Sequence, residues 1–149
     1  MRKTAALFLL FALALFSLQA QVHKQAVSQH TLLLRSIARG KGIYIQNCLS
    51  CHQADGHGLG NMNPPLIQTP YVLGDKVKLI TIVLNGFNED VEINDKKYQN
   101  TMPPHDFLKD QQIADVLTYI RNNFTNKASR VSVGEVKKVR STNKPPASS

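Results

Sequence analysis

Two cysteines three positions apart, with a histidine directly behind the second, constrain this chain more than any other feature: Cys48-Leu49-Ser50-Cys51-His52. The spacing is the attachment pattern for c-type haem. Each thiol can add across one haem vinyl group to leave a thioether, and the next imidazole can reach the iron from one face. Other chemistries need context that is missing here. A thioredoxin-like redox pair needs a βαβ setting and gives the histidine no task. A zinc site needs four ligands, and no second C-x-x-C or H-x₃₋₅-H follows. A disulfide would close too short a loop to stabilise a fold of this size.

Both cysteines lie in this motif, so none remains to staple the fold. The chain's 149 residues allow one domain with extensions. Met1-Arg2-Lys3 is a positive start, and the apolar run over residues 5–18 is short for a membrane span but suits a secretory signal, with Ala20 the expected last residue before cleavage. Residues 1–20 are therefore expected to be a signal peptide and residues 21–30 a polar leader. Membrane anchoring follows only if the signal is retained. No cysteine follows the run to carry a lipid anchor.

Of the 18 Lys and Arg, two leave with a cleaved signal, and the ten acidic residues all stay, so the mature chain carries +6. Residues 127–149 hold Lys127, Arg130, Lys137, Lys138, Arg140 and Lys144 against Glu135 alone, which is +5 of that total. Basicity is thus a property of the tail, and no aromatic-interleaved basic stretch supports nucleic-acid binding. The tail reads either as a salt-sensitive steering element or as a solvated strap over the last helix.

Taken in order, the chain predicts a helix from about Thr31, in which Gly40 and Tyr44 share a face one turn apart. Glycine there lets another helix approach, and the tyrosine ring fills the space beside it. Residues 55–66 are rich in Gly, Asn and Pro and read as a loop, from which Pro64 or Pro65 can accept the His52 ring proton and fix its tautomer. Residues 77–84 suit helix or strand, and Asp75 before them with Gly86 after them favours helix. Val91-Glu92-Ile93 and Lys97-Tyr98-Gln99 flank Asn94-Asp95-Lys96 as a small hairpin. Met102-Pro103-Pro104-His105 is a loop stiffened by two prolines. Ile113, Val116, Leu117, Ile120 and Phe124 form one apolar stripe on a helix over 110–124, expected to cross the first helix near Gly40. Ser132-Val133-Gly134-Glu135 is a capping box opening a helix to about Arg140, and residues 141–149 read as a disordered tail.

This order of features over residues 37–140 resembles the class I, single-haem c-type cytochromes. The stretch Val91-x-Ile93-Asn94-x₃-Tyr98-x₃-Met102-Pro103-Pro104, followed by Ile113-Ala114-Asp115-Val116-Leu117, is similar to domains associated with bacterial periplasmic dehydrogenases, notably quinoprotein ones. The resemblance implies an all-α cytochrome c fold, with three to five helices around one covalent haem, a small hairpin and long loops, over residues 31–140. It implies attachment at Cys48 and Cys51, with His52 proximal and Met102 distal. A thioether ligand favours ferrous iron and raises the potential relative to a second histidine. Met62 and His105 are the rival distal ligands. Lys109 stands where relatives often carry a capping serine, so Asp110 is expected to cap that helix. The implied function is a periplasmic electron carrier of a Gram-negative-type bacterium, not an enzyme, with a dehydrogenase as donor and an oxidase or reductase as acceptor. The alternative is a haem c enzyme or gas sensor with an open distal site, using polar groups such as His57 or His105.

Overall fold

The structure, a computed structural model, describes residues 2–99 and 101–143. By contacts the chain divides into two units, residues 1–34 and 35–149. Helix α1 takes in Arg2–Asn47. It therefore starts well before the expected Thr31, and the polar stretch 21–30 is helical. The reason lies in composition: no glycine or proline interrupts residues 2–39. Among the described residues no helix is long and apolar enough to cross a membrane.

The unit over residues 35–149 carries the core. After α1 come the single turns α2 (Leu49–His52) and α3 (Pro70–Leu73), then α4 (Lys76–Asn85), the hairpin β1 (Val91–Ile93) and β2 (Lys96–Tyr98), α5 (Asp110–Arg121) and α6 (Val133–Thr142). Six helices among the described residues exceed the expected three to five because α2 and α3 are each only four residues long. Asp75 caps α4 by accepting from the Val77 N–H, so the residues that suited helix or strand are helical. The hairpin is antiparallel with Val91 opposite Tyr98, but Lys96 pairs with Ile93 as the first residue of β2 instead of sitting in the turn as expected, which leaves a two-residue turn, Asn94 and Asp95, both with positive φ.

Three corrections concern helix ends. Lys109, not Asp110, occupies the N-cap position of α5, where its backbone N–H donates to Gln112 Oε1 at 3.0 Å. Asp110 instead pairs with Arg140, 2.6 Å from Oδ1 to Nε. Helix α5 ends at Arg121, and Phe124 lies beyond it with φ +53°, so the turn rather than the helix returns its ring to the apolar stripe. The α6 capping box is as expected, but that helix reaches Thr142; residues 144–149 of the expected disordered tail lie outside the described residues.

Helices α1 and α5 pack closely because Gly40 has no side chain. A Cβ at Gly40 would overlap the Asp115 carbonyl and come within 2.7 Å of Tyr119 Cβ. One turn on, the Tyr44 ring packs against Tyr119 and Phe124, with centroids 5.4 and 5.3 Å away. Beside this crossing the carboxylate of Asp115, 1% exposed, accepts from Ser36 Oγ at 2.6 Å and from Arg39 Nε at 2.6 Å. Burial pushes this carboxyl up, but the Arg39 and Ser36 bonds outweigh it and hold it below the usual carboxylate range. Helix α6 is fastened to the core by Arg140, whose guanidinium also donates to the carbonyls of Asp106 and Leu108. Lys76 fastens its other end, donating to the Arg130 carbonyl and to Glu135.

Candidate functional site

Cys48, the N-cap of α2, ends the run Gly40-x₃-Tyr44-x₃-Cys48 along α1, so helical spacing carries the α1–α5 crossing toward the site. The hydroxyl of Tyr44 donates to the Gln53 carbonyl at 2.7 Å, tying the end of α2 back to α1. Cys48 is half-buried and Cys51 exposed. Burial, reinforced by the neighbouring Cys51, pushes the Cys48 thiol up to about 11.

His52 Nδ1 lies 3.1 Å from the Pro64 carbonyl oxygen. A carbonyl only accepts, so Nδ1 carries the proton and Nε2 keeps its lone pair. The structure thereby selects Pro64 over Pro65. Burial drives the His52 imidazolium down, outweighing the opposing pull of that hydrogen bond, and leaves the ring neutral, the form that ligates metal.

Met102 comes from a different part of the chain. Its N–H and C=O exchange hydrogen bonds with Phe87 at 2.8 and 2.9 Å, forming an isolated bridge. That bridge needs Gly86, which has φ +74°; a Cβ there would overlap the Met102 carbonyl and lie 2.9 Å from the Pro104 nitrogen. Cys48, Cys51, His52 and Met102 all line one cavity of about 250 Å³. Most of its remaining wall is apolar, including Leu66, Leu79, Val83 and Ile120.

The two rivals to Met102 are placed differently. Met62 is 55% exposed and does not line the cavity. His105 does line it, but Nδ1 faces the Pro103 carbonyl at 2.9 Å and Nε2 faces the Asn47 carbonyl at 3.3 Å. His57 lies off the cavity, 3.2 Å from exposed Asp55.

Sequence reasoning missed Phe87, which fixes the Met102 backbone, and Asn63, whose amide donates to the Cys51 carbonyl at 3.1 Å. An aromatic directly after a helix-ending glycine was the available signal for the first. Asn63 was only part of a loop composition.

Two thiols, a neutral imidazole and a thioether around an apolar cavity suit an iron porphyrin, whose ring is apolar and whose iron accepts nitrogen and sulfur. Among the described residues no cluster of three or more His, Cys, Asp or Glu could hold a bare metal ion instead. The Cytochrome c family profile matches residues 37–124. The chain belongs to the cytochrome c family. Its cofactor is accordingly covalently bound haem c, and its chemistry haem-based electron transfer. Over 122 residues it is 32% identical to the cytochrome c subunit of a quinone alcohol dehydrogenase from Gluconobacter oxydans, covering 78% of this chain and 26% of that subunit. It is 37% identical over 87 residues to cytochrome c-552 of Thermus thermophilus, covering 56% of this chain and 66% of that protein. With the gluconate 2-dehydrogenase cytochrome c subunit of Pantoea cypripedii the identity is 35% over 92 residues, or 60% of this chain and 21% of that subunit. The chain thus spans about a quarter of the length of the dehydrogenase subunits it matches.

Proposed function

We propose that this protein is a periplasmic carrier of single electrons, holding one haem c by thioethers from Cys48 and Cys51 with His52 and Met102 as axial ligands. The observation that carries the reading is that these four side chains line one cavity, while Met62 points elsewhere and both ring nitrogens of His105 face carbonyls. Bound there, the haem supplies a ferric–ferrous couple. The protein's residues do the rest. The Pro64 carbonyl orients His52. The Phe87 bridge holds the Met102 backbone. The apolar wall lowers the local dielectric and keeps water from the iron.

With both axial positions taken, no site remains for a substrate, so the chain transfers electrons and does not catalyse. The dehydrogenase relatives support a dehydrogenase as donor, with an oxidase or reductase as acceptor. Residues 1–20 act as the signal peptide that exports the chain to the periplasm, where its thiols meet haem.

The test is spectroscopic and chemical. Haem should stay with the chain in acid–acetone, and Cys48→Ala with Cys51→Ala should make it extractable. The ferric protein should be low-spin with the weak red charge-transfer band of sulfur-bound iron. Met102→Ala should abolish that band and admit carbon monoxide to the ferrous form. Loss of the band in Met62→Ala or His105→Ala with Met102→Ala unaffected would overturn the ligand assignment.

A further inference from the structure

Helix α6 lies beyond residue 124, where the match to the family profile ends, and none of its described residues lines the cavity. Its two ends are held by different parts of the molecule. At the first turn, Lys76 from the start of α4 donates to the Arg130 carbonyl at 2.7 Å and to Glu135 at 2.9 Å. At the last turn, the partners flank the Met102 loop on both sides. Between these grips Val136 and Val139 are buried in the core, so the helix has a firm seat from which to hold something.

On the incoming side, Asn85 ends α4 and precedes Gly86 and Phe87, the residue that bridges to Met102. The side chains of Asn85 and Asn143 bond to each other twice. Asn85 Nδ2 donates to Asn143 Oδ1 at 3.0 Å, and Asn143 Nδ2 donates to Asn85 Oδ1 at 2.6 Å. On the outgoing side, Arg140 donates from Nη1 to the Asp106 carbonyl at 2.9 Å and from Nη2 to the Leu108 carbonyl at 2.6 Å. Its Nε is on Asp110. Between Met102 and these carbonyls stand Pro103 and Pro104, which have no N–H, so the stretch cannot fasten itself with a regular ladder. A planar guanidinium fork suits two neighbouring carbonyls better than a flexible ammonium does.

We propose that the last turn of α6 is a clasp on the Met102 loop, in which Arg140 and Asn143 are positioning residues that hold the sulfur against release from iron. The inference rests on Met102 as a ligand and concerns how firmly that ligand stays. A backbone swing of the loop carries the sulfur away, and the swing pulls on Asn85 at one foot or on residues 106–108 at the other. Breaking either grip makes it easier. The first turn of α6 has no such leverage, because Lys76 stands at the far end of α4, roughly 14 Å along the helix from Asn85.

The experiment is a stopped-flow replacement of the sulfur by imidazole in the ferric, haem-loaded protein, followed by loss of the red charge-transfer band. At saturating imidazole the rate is that of sulfur release. Arg140→Gln should release sulfur roughly tenfold faster, the factor lost with about one hydrogen bond from a charged donor, and Asn143→Ala roughly threefold faster. Lys76→Met, which cuts the other end of α6, should lower Tm yet release sulfur at the wild-type rate. A strap that only stabilises the fold would accelerate release in all three variants in proportion to their loss of Tm. That proportion would overturn the proposal, as would wild-type rates in Arg140→Gln and Asn143→Ala. If Arg140→Gln fails to take up haem, Asn143→Ala decides, together with its amide exchange. Faster exchange at Phe87 and Met102 with α5 unchanged supports the clasp, and unchanged exchange refutes it. Absence of the band from wild type before imidazole is added would overturn the ligand assignment and the clasp together. A normal band with unchanged rates overturns the clasp alone.

Discussion

Replacing Gly40 by alanine tests the packing that supports the site. The added Cβ would overlap the Asp115 carbonyl oxygen, with the carbonyl carbon at 2.6 Å and Tyr119 Cβ at 2.7 Å. Two of these neighbours are main-chain atoms, so no rotamer change relieves the clash and α1 must move off α5. Carbon atoms pack best at about 3.5–4.0 Å, so the shift is roughly 1 Å, enough to forfeit up to about half the dispersion energy across the crossing. Overpacking of this kind costs about 1–3 kcal/mol, and stretching the Ser36 bond to a charged acceptor adds about 1.5 kcal/mol. Alanine returns at most ~1 kcal/mol in helix propensity. The expected net loss is about 1.5–3.5 kcal/mol, or roughly 6–28 °C in Tm for a domain near 100 residues. Gly42 provides the control, because a Cβ there meets nothing within 4 Å. Gly42→Ala should therefore gain up to ~1 kcal/mol from helix propensity alone. Thermal unfolding of the haem-loaded proteins, followed by far-ultraviolet circular dichroism, measures both. If the two variants melt within a few degrees of each other, the close approach of α1 and α5 at Gly40 is refuted.

Arg39→Met should reverse a pH dependence. In the native protein Asp115 titrates below its unfolded value, so its stabilisation is present at neutral pH and is lost as pH falls through the folded pKa. Without Arg39, burial dominates, the carboxyl titrates above its unfolded value, and stability instead falls as pH rises, by about 1–3 kcal/mol at neutrality; melting curves from about pH 4 to 7 would show the slope, and an unchanged slope would count against the network. Gly86→Ala should dislodge the Met102 loop through its clash with that residue's carbonyl and the cost of φ +74° with ψ −170°, about 1–3 kcal/mol for a non-glycine residue. The sulfur charge-transfer band should weaken, and a wild-type band would refute the dependence. Neutralising Lys127, Lys137 and Lys138 together should slow reduction by a purified quinoprotein alcohol dehydrogenase at low salt, with the difference gone once screening falls below about 8 Å. Equal rates at every ionic strength would reduce the tail to a strap. Arg140 is left out of that variant because its guanidinium holds α6 to Asp110.

Features set by local spacing were legible from residues alone. The C-x-x-C-H motif, the Asp75 cap, the Ser132 capping box and the hairpin turn each depend on neighbours a few positions away. Thr69-Pro70 carried the same kind of signal for α3, a capping hydroxyl followed by proline at the first helical position, and went unread. What spacing cannot convey is a partner far along the chain. Asp115 could not be paired from sequence, because Ser36 and Arg39 lie 79 and 76 positions away. Arg140 counted as a free tail charge for the same reason, its carboxylate being 30 positions back. Phe124 fitted the helical stripe by period, yet the helix stops at Arg121. There Asn126 bonds the Leu66 and Ile120 carbonyls, and the chain turns through two positive-φ residues.

The bridge between Phe87 and Met102 also ties residues 87–102 into a lariat whose neck is two backbone hydrogen bonds. Inside the noose lies a hairpin whose apolar cluster is separate from the main core and takes only Tyr71 from outside the noose, so the segment is expected to open as a small cooperative unit while the helices stay folded. Amide hydrogen exchange would then sort the protein into two classes, with Phe87 and Met102 exchanging together and earlier than the α5 amides. The proposed nitrogen ligand belongs to the slow class and the proposed sulfur ligand to the fast one. Under heat or denaturant, then, the iron would lose its sulfur before the protein lost its fold.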